Sequence, residues 1–238
     1  MSERKQLGNV DKTLSEGLFI FRSEAGRPTV RTYNIRDLHQ VIDVYKTAFA
    51  NPPYNEFMKC SNCGINYGKE EVAKLIETDN CKKCNEPLDL VEVFSSKGIE
   101  EDIEDSQKRP NVVTLVAEDE TGILGFAWGY KVPFDEFPQL KGKVADNASY
   151  FAELAVREDK RKCGIGNDLC NGFLRASKEI GINEVVLRTN ERNVASLALY
   201  KKNGFVELMD TENVLRRVYD LVEKDRIFLS KKEGNREF

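Results

Sequence analysis

Residues 150–205 constrain the fold more than any other part of the chain, because they read in succession as strand, glycine turn, helix, strand and helix. Residues 150–156 are apolar apart from Glu153, which suits a strand covered on both faces. Simple alternation puts Tyr150, Ala152, Leu154 and Val156 on one side and Phe151, Glu153 and Ala155 on the other. Arg161-Lys162-Cys163-Gly164-Ile165-Gly166 then leads into a helix whose Ile165, Leu169, Phe173 and Ala176 recur at helical spacing. The first-turn amides of such a helix have no intrahelical acceptor and carry the positive end of its dipole, so the loop suits a pyrophosphate. Glycines at 164 and 166 let phosphate oxygens approach the chain. Gly181 is placed to end the helix, 184–187 to form the next strand, and Asn193 to cap a last helix that stops at Gly204. The loop is not GxxxxGK and no acidic ribose-binding residue follows a strand, which argues against P-loop and dinucleotide folds.

Two motifs in this window carry a resemblance. Arg161, Gly164 and Gly166 follow Leu154-Ala155-Val156, and a helix opening at Asn193 and Ala195 closes in Leu199, Tyr200, Gly204 and Phe205. The pair resembles the acetyl-CoA-binding core of the GNAT N-acetyltransferase superfamily, over roughly 29–51 and 111–231. The resemblance implies an α/β fold, the GNAT acyl-CoA N-acyltransferase fold, with a mixed, mostly antiparallel central sheet flanked by helices. It also implies acetyl-CoA as cosubstrate, and direct transfer of the acetyl group to the primary amine of a small molecule or a protein. Backbone groups of Leu154, Ala155 and Val156 would hold the pantetheine arm and the acetyl carbonyl. Arg161, Lys162, Cys163, Gly164, Ile165 and Gly166 would hold the pyrophosphate, and Asn193 would contact CoA as well as cap its helix. Tyr200 matches a tyrosine that donates to the departing thiolate; a core tyrosine is the competing reading. Glu153 lies on the strand lining the acceptor cleft, where partial burial would make it a base acting through a water; an ion-paired strand glutamate competes. Glu56 is a second candidate base. His39 reads as a surface or packing residue, and an acyl-cysteine route through Cys163 goes against direct transfer. The alternative function is a non-catalytic CoA-binding regulator or adaptor whose metal module docks a partner.

Composition narrows the partners. Lys+Arg number 36 and Asp+Glu 40, a net charge of −4, and the interspersed signs argue against nucleic acid as the main partner. No apolar run is long enough to span a membrane. The polar start lacks a secretory h-region, so a cytoplasmic location is expected, with thiols reduced. A homodimer stays open. Four of the six cysteines form two pairs, Cys60-x-x-Cys63 and Cys81-x-x-Cys84, the spacing of a structural four-thiolate zinc site. Gly64 and Asn85 follow the pairs and tolerate the left-handed turns that such ligation needs. With all four positions taken, the zinc would be structural.

The expected organisation is an N-terminal extension at 1–28 and a GNAT domain at 29–238, interrupted at 56–110 by a zinc-ribbon-like insert with an acidic linker, Glu100 to Asp105. Residues 35–50 read as an amphipathic helix, and 112–118 with 123–132 as a hairpin. Residues 69–77 read as a short helix with Val72, Leu75 and Ile76 inward. Phe19, Ile20 and Phe21, with Leu18, read as an edge strand. Lysines and acidic residues balance from 60 to 84, so the insert is a poor grip for phosphates. If the acidic stretch borders the cleft, it favours a cationic acceptor.

Overall fold

The computed structural model describes residues 19–21, 27–52, 54–76, 79–210, 216–232 and 234. Most of the expected N-terminal extension, Leu18 included, lies outside them. In chain order the elements are β1 (Ile20–Phe21), β2 (Thr29–Thr32), α1 (Leu38–Ala48), β3 (Met58–Cys60), β4 (Asn66–Tyr67), α2 (Lys69–Val72), β5 (Leu90–Glu92) and α3 (Ser96–Gln107). There follow β6 (Val113–Asp119), β7 (Gly122–Lys131), β8 (Ser149–Val156), α4 (Ile165–Glu179), β9 (Glu184–Asn190), α5 (Val194–Lys202), β10 (Val206–Glu207), β11 (Met209–Asp210), β12 (Arg216–Arg217) and β13 (Arg226–Lys232). Eight strands make one sheet in the order β1-β2-β6-β7-β8-β9-β13-β10. Every pair is antiparallel except β8 with β9, so the sheet is mixed and mostly antiparallel.

Helices cover both faces of the sheet. The stripe read for α4 is fully committed: Ile165, Leu169, Phe173 and Ala176 are buried against Leu115, Ala127, Phe151 and Leu187. On the opposite face Val41, Ile42 and Tyr45 of α1 meet Val116, Phe126 and Trp128. The segment expected as an acidic linker is instead a helix, α3, capped by the Ser95 side chain on the Gly98 amide at 3.0 Å. Its charged composition conceals an i, i+4 pair, Ile99 and Ile103, buried beside α1. Two apolar residues on one face anchor a helix whose other faces stay acidic. The insert shows a similar economy. Helix α2 ends at Val72, and Val72 and Leu75 pack by the cysteines, but Ile76 is exposed rather than inward. Among the described residues no helix is long and apolar enough to cross a membrane.

Candidate active site and metal centre

Two irregularities in β8 create the site. Its parallel pairing with β9 covers only Ser149↔Val185, Tyr150↔Val186 and Phe151↔Leu187. Beyond Phe151 the strands diverge, and β9 continues along β13 alone. The edge of β8 from Leu154 to Val156 therefore faces a gap, with backbone groups unclaimed by a neighbouring strand. The second irregularity is a bulge. Trp128 of β7 pairs with Glu153, but Gly129 pairs with Phe151, leaving Ala152 extra. An extra residue resets alternation. The even–odd parity read from the sequence therefore fails: Phe151, Leu154 and Val156 face α4, while Tyr150, Ala152 and Glu153 line a cavity on the other face.

Above the gap, the loop turns sharply at Lys162, φ 63°, and Gly164, φ 89°. Helix α4 starts with no side-chain cap, and the amides from Lys162 to Asn167 have no acceptor among the described residues. Six unclaimed donors at a helix N-terminus form an anion cradle. Cys163 is exposed there, and Gly166 borders Leu154 and Val156, whereas the Ile165 side chain goes into the core and leaves only its amide for the loop. The Arg161 guanidinium turns away and donates to the Ala48 carbonyl at the end of α1. Arg161 thus braces the loop from behind, a role its motif position did not reveal. Replacing Gly164 by alanine meets no steric obstacle, so only the left-handed backbone opposes it. We expect a loss of about 1–2 kcal/mol in thermal or denaturant unfolding together with weaker CoA binding by calorimetry.

The acid–base candidates stand on opposite sides of the gap. Tyr200 packs edge-on against Phe151, where the strands part, at 6.3 Å between ring centres. Burial holds its phenol well above the usual value, and the hydroxyl has no hydrogen-bond partner among the described residues. Asn193 caps α5 through the Ser196 amide at 3.1 Å and donates to the Tyr54 hydroxyl at 2.6 Å. Sequence reasoning passed over Tyr54, whose only signal was its place after two prolines. Across the gap, Glu153 reaches a cavity of about 230 Å³ walled by Tyr45, Trp128, Tyr130 and Tyr150. Burial pushes its carboxyl up to about 7, against a partial offset from Arg226 and with Glu56 adding to the rise. Glu56 is also raised by burial. His39 is exposed near the start of α1.

The cavity's charges are mostly spoken for. Arg109 pairs with Glu136 at 2.7 Å, Arg188 with Asp220 at 2.6 Å and Glu223 at 3.0 Å, and Arg226 with Glu223 at 3.0 Å. Asp105 pairs with Lys108 at 2.9 Å. Among the described residues Asp102 has no cationic partner; burial, Asp105 and Glu101 all raise its pKa.

The four paired cysteines converge. Their sulfurs lie within 4.8 Å of one another, with Cys63–Cys81 at 3.6 Å and Cys60–Cys84 at 3.9 Å. A tetrahedral ion with metal–sulfur bonds of ~2.3 Å needs sulfurs about 3.8 Å apart, so the set fits. Matching turns produce it: the Gly64 amide donates to the Cys60 carbonyl and the Asn85 amide to the Cys81 carbonyl, both at 2.9 Å, with φ of 70° and 60°. Burial opposes the Cys81 thiolate, but the Cys84 amide, the Tyr67 hydroxyl and the Lys83 amide outweigh it and pull the thiol down to about 5. At Cys63 the Ile65 amide favours the thiolate, yet burial and the neighbouring sulfurs prevail and push it up to about 11. Such mutual crowding of thiols is relieved when a cation takes their protons' place.

The sequence model of the acetyltransferase (GNAT) family matches residues 79–205, more than half of the chain. The chain belongs to this family. An N-alpha-acetyltransferase of Sulfurisphaera tokodaii is 32% identical over 111 residues, covering 44% of this chain and 60% of that protein. The chain thus spans less than two thirds of that curated relative. Among solved structures, the PaiA N-acetyltransferase of Thermoplasma acidophilum in complex with coenzyme A is 19% identical, with a TM-score of 0.52 over 85% of this chain and 97% of that one. YncA of Salmonella typhimurium, solved with its cofactor acetyl-CoA, is 15% identical, with a TM-score of 0.54 over 90% and 98%. These likenesses establish the GNAT fold. The family match begins inside the insert, at 79, and takes in α3.

Proposed function

We propose that this GNAT protein transfers the acetyl group of acetyl-CoA to a primary amine by direct attack, on an acceptor that carries a second positive charge. The observation that carries the reading is the gap beyond Phe151, with unclaimed amides above it, Glu153 on one face and Tyr200 on the other. Coenzyme A and acetyl-CoA in the two structural neighbours support the choice of cosubstrate. The amides of 162–167 receive the pyrophosphate and the edge of Leu154 to Val156 pairs with the pantetheine, leading the thioester into the gap. Glu153, through a water, takes a proton from the incoming ammonium. The neutral nitrogen attacks the carbonyl carbon, the N–C bond forms and the C–S bond breaks. Tyr200 protonates the departing sulfur, the nitrogen's surplus proton passes through solvent to restore the Tyr200 phenol as the amide forms, and the proton held on Glu153 returns to solvent. Cys60, Cys63, Cys81 and Cys84 hold a structural zinc, which supplies folding energy to the insert and takes no part in transfer.

The charge balance of the cavity supports the acceptor class. Every arginine lining it has an acidic partner, which leaves Asp102 and Glu153 without an ion pair among the described residues, although Arg226 and Arg188 still act on Glu153 from a distance. Glu153 serves the reacting amine. Asp102, which lines the same cavity as the Trp128 and Tyr45 rings, is left for a second cationic group. Thiol release from acetyl-CoA tests this with 1,4-diaminobutane, butylamine and 4-aminobutanoate. We expect the diamine to lead both others by at least about tenfold in kcat/KM, a preference that Asp102→Asn abolishes. Equal rates for all three would remove the acceptor class; no thiol release with any amine would remove the reaction.

A further inference from the structure

Besides an ion pair from Glu92 to Lys46 of α1 at 3.0 Å, the metal insert meets the enzyme at one corner that also receives the phosphate loop. Helix α1 ends at Ala48, and residues 48–51 make the turn that follows. From the insert, the Lys69 amide donates to the Ala50 carbonyl at 2.8 Å and the Glu70 amide approaches Asn51 Oδ1 at 3.4 Å. From the phosphate loop, Arg161 donates to the Ala48 carbonyl and Glu158 Oε1 accepts from Asn51 Nδ2 at 3.1 Å. Asn51 is 8% exposed and uses both ends of its amide, one on each partner. Inside the insert the chain from Gly68 back to the metal centre is short: Tyr67 is buried and its hydroxyl donates to Cys81 Sγ at 3.3 Å. Gly68 is itself held close, since a Cβ there would lie 2.6 Å from Asn55 Oδ1.

We infer that Asn51 is a positioning residue through which the four-cysteine centre holds the 158–167 loop in its CoA-binding form. An ordered centre fixes Tyr67 and so the start of α2. That start fixes the orientation of the Asn51 amide, and the amide holds Glu158 and the loop behind it. Loss of the metal loosens this chain without loosening the sheet, because Ala48 and Phe49 at the corner are held by the buried apolar cluster under α1, which does not include the cysteines. The consequence for acetyl transfer rests on the function proposed above; the mechanical link does not.

Full-length wild type and Asn51→Ala, each metal-loaded and chelated, test the link by two readouts: hydrogen exchange of the loop's hydrogen-bonded amides, Lys160, Arg161 and Asp168, and CoA affinity by calorimetry. In wild type, chelation is expected to speed exchange of these amides at least about tenfold and weaken CoA by a similar factor, with β6 and β7 still protected. Loaded Asn51→Ala is expected to show the fast loop and weak CoA binding already, and chelation to change either by less than about twofold. Unchanged loop exchange on chelating the wild type would overturn the inference. So would an Asn51→Ala protein that behaves as wild type in both metal states. Absence of CoA binding in every sample, with loop exchange responding as described, would refute the acetyl-CoA reading and leave the link standing.

Discussion

Glu153→Gln is expected to lower kcat about 10²- to 10³-fold while leaving CoA affinity unchanged, and to erase the rise of the pH–rate profile near pH 7. Removal of a positioned general base costs a factor of this order. The position of the limb follows from the group itself: burial in an aromatic-walled cavity puts its pKa at about 7, so the carboxylate that accepts the proton is populated only above that pH. The same shift has an opposite sign for stability. Between the ordinary glutamate value of 4.5 and about 7, the folded chain holds a proton that the unfolded chain has released. Stability therefore falls as pH rises through this window, by up to about 3 kcal/mol. Glutamine escapes that cost, so the variant melts higher than wild type at pH 8 and nearly level with it at pH 4.5. Steady-state profiles and melts at the two pH values give both halves. A variant that keeps the limb with its midpoint unmoved would transfer the base role elsewhere, and Glu56, raised by the same cause, would be tested next.

Cys81→Ser, or chelation, is expected to unfold the insert as a unit. Among the described residues its buried apolar side chains are Cys60, Tyr67 and Cys81, with Ile65, Val72, Leu75, Leu88 and Leu90 only partly covered. Ordering each residue costs on the order of 1–2 kcal/mol in backbone entropy alone, far more than this cluster returns, whereas a structural zinc supplies roughly 10–16 kcal/mol. Cys81 is the most telling position, because the Tyr67 hydroxyl and the Lys83 amide both converge on its sulfur. Elemental analysis should find one metal ion per wild-type chain and none in the variant. Hydrogen exchange should show 58–92 losing protection while the eight-stranded sheet keeps it. A metal-free insert with full protection would mean that its fold does not depend on the ion.

The sequence exposed the local signals best. The Ile165-Leu169-Phe173-Ala176 stripe, the Asn193 cap and the two cysteine turns each depend on a few neighbouring residues, and each was legible. Features set by tertiary partners were not. Nothing within 150–156 announces that Ala152 is extra; the bulge exists because Trp128 and Gly129 of another strand leave it without a partner. Helix α3 was hidden by its charges, since two buried isoleucines suffice once α1 is there to receive them. Arg161 sits in the motif read as a phosphate grip, yet the nearest acceptor in space is a helix end remote in sequence. Arg188, Arg226, Tyr45 and Trp128 come together only through the sheet, so apart from Glu153 the cavity had no one-dimensional trace.

The insert leaves and re-enters the body of the protein at a single doorway, where Met58 pairs with Glu92 and the Val93 amide donates to the Phe57 carbonyl at 3.4 Å. An excursion whose ends are already zipped together adds little to the connection between α1 and α3. Each doubling of a flexible connection costs only about 0.6 kcal/mol. The sheet therefore tolerates such a ribbon at little entropic expense, and what the ribbon contributes is decided where it meets the turn after α1.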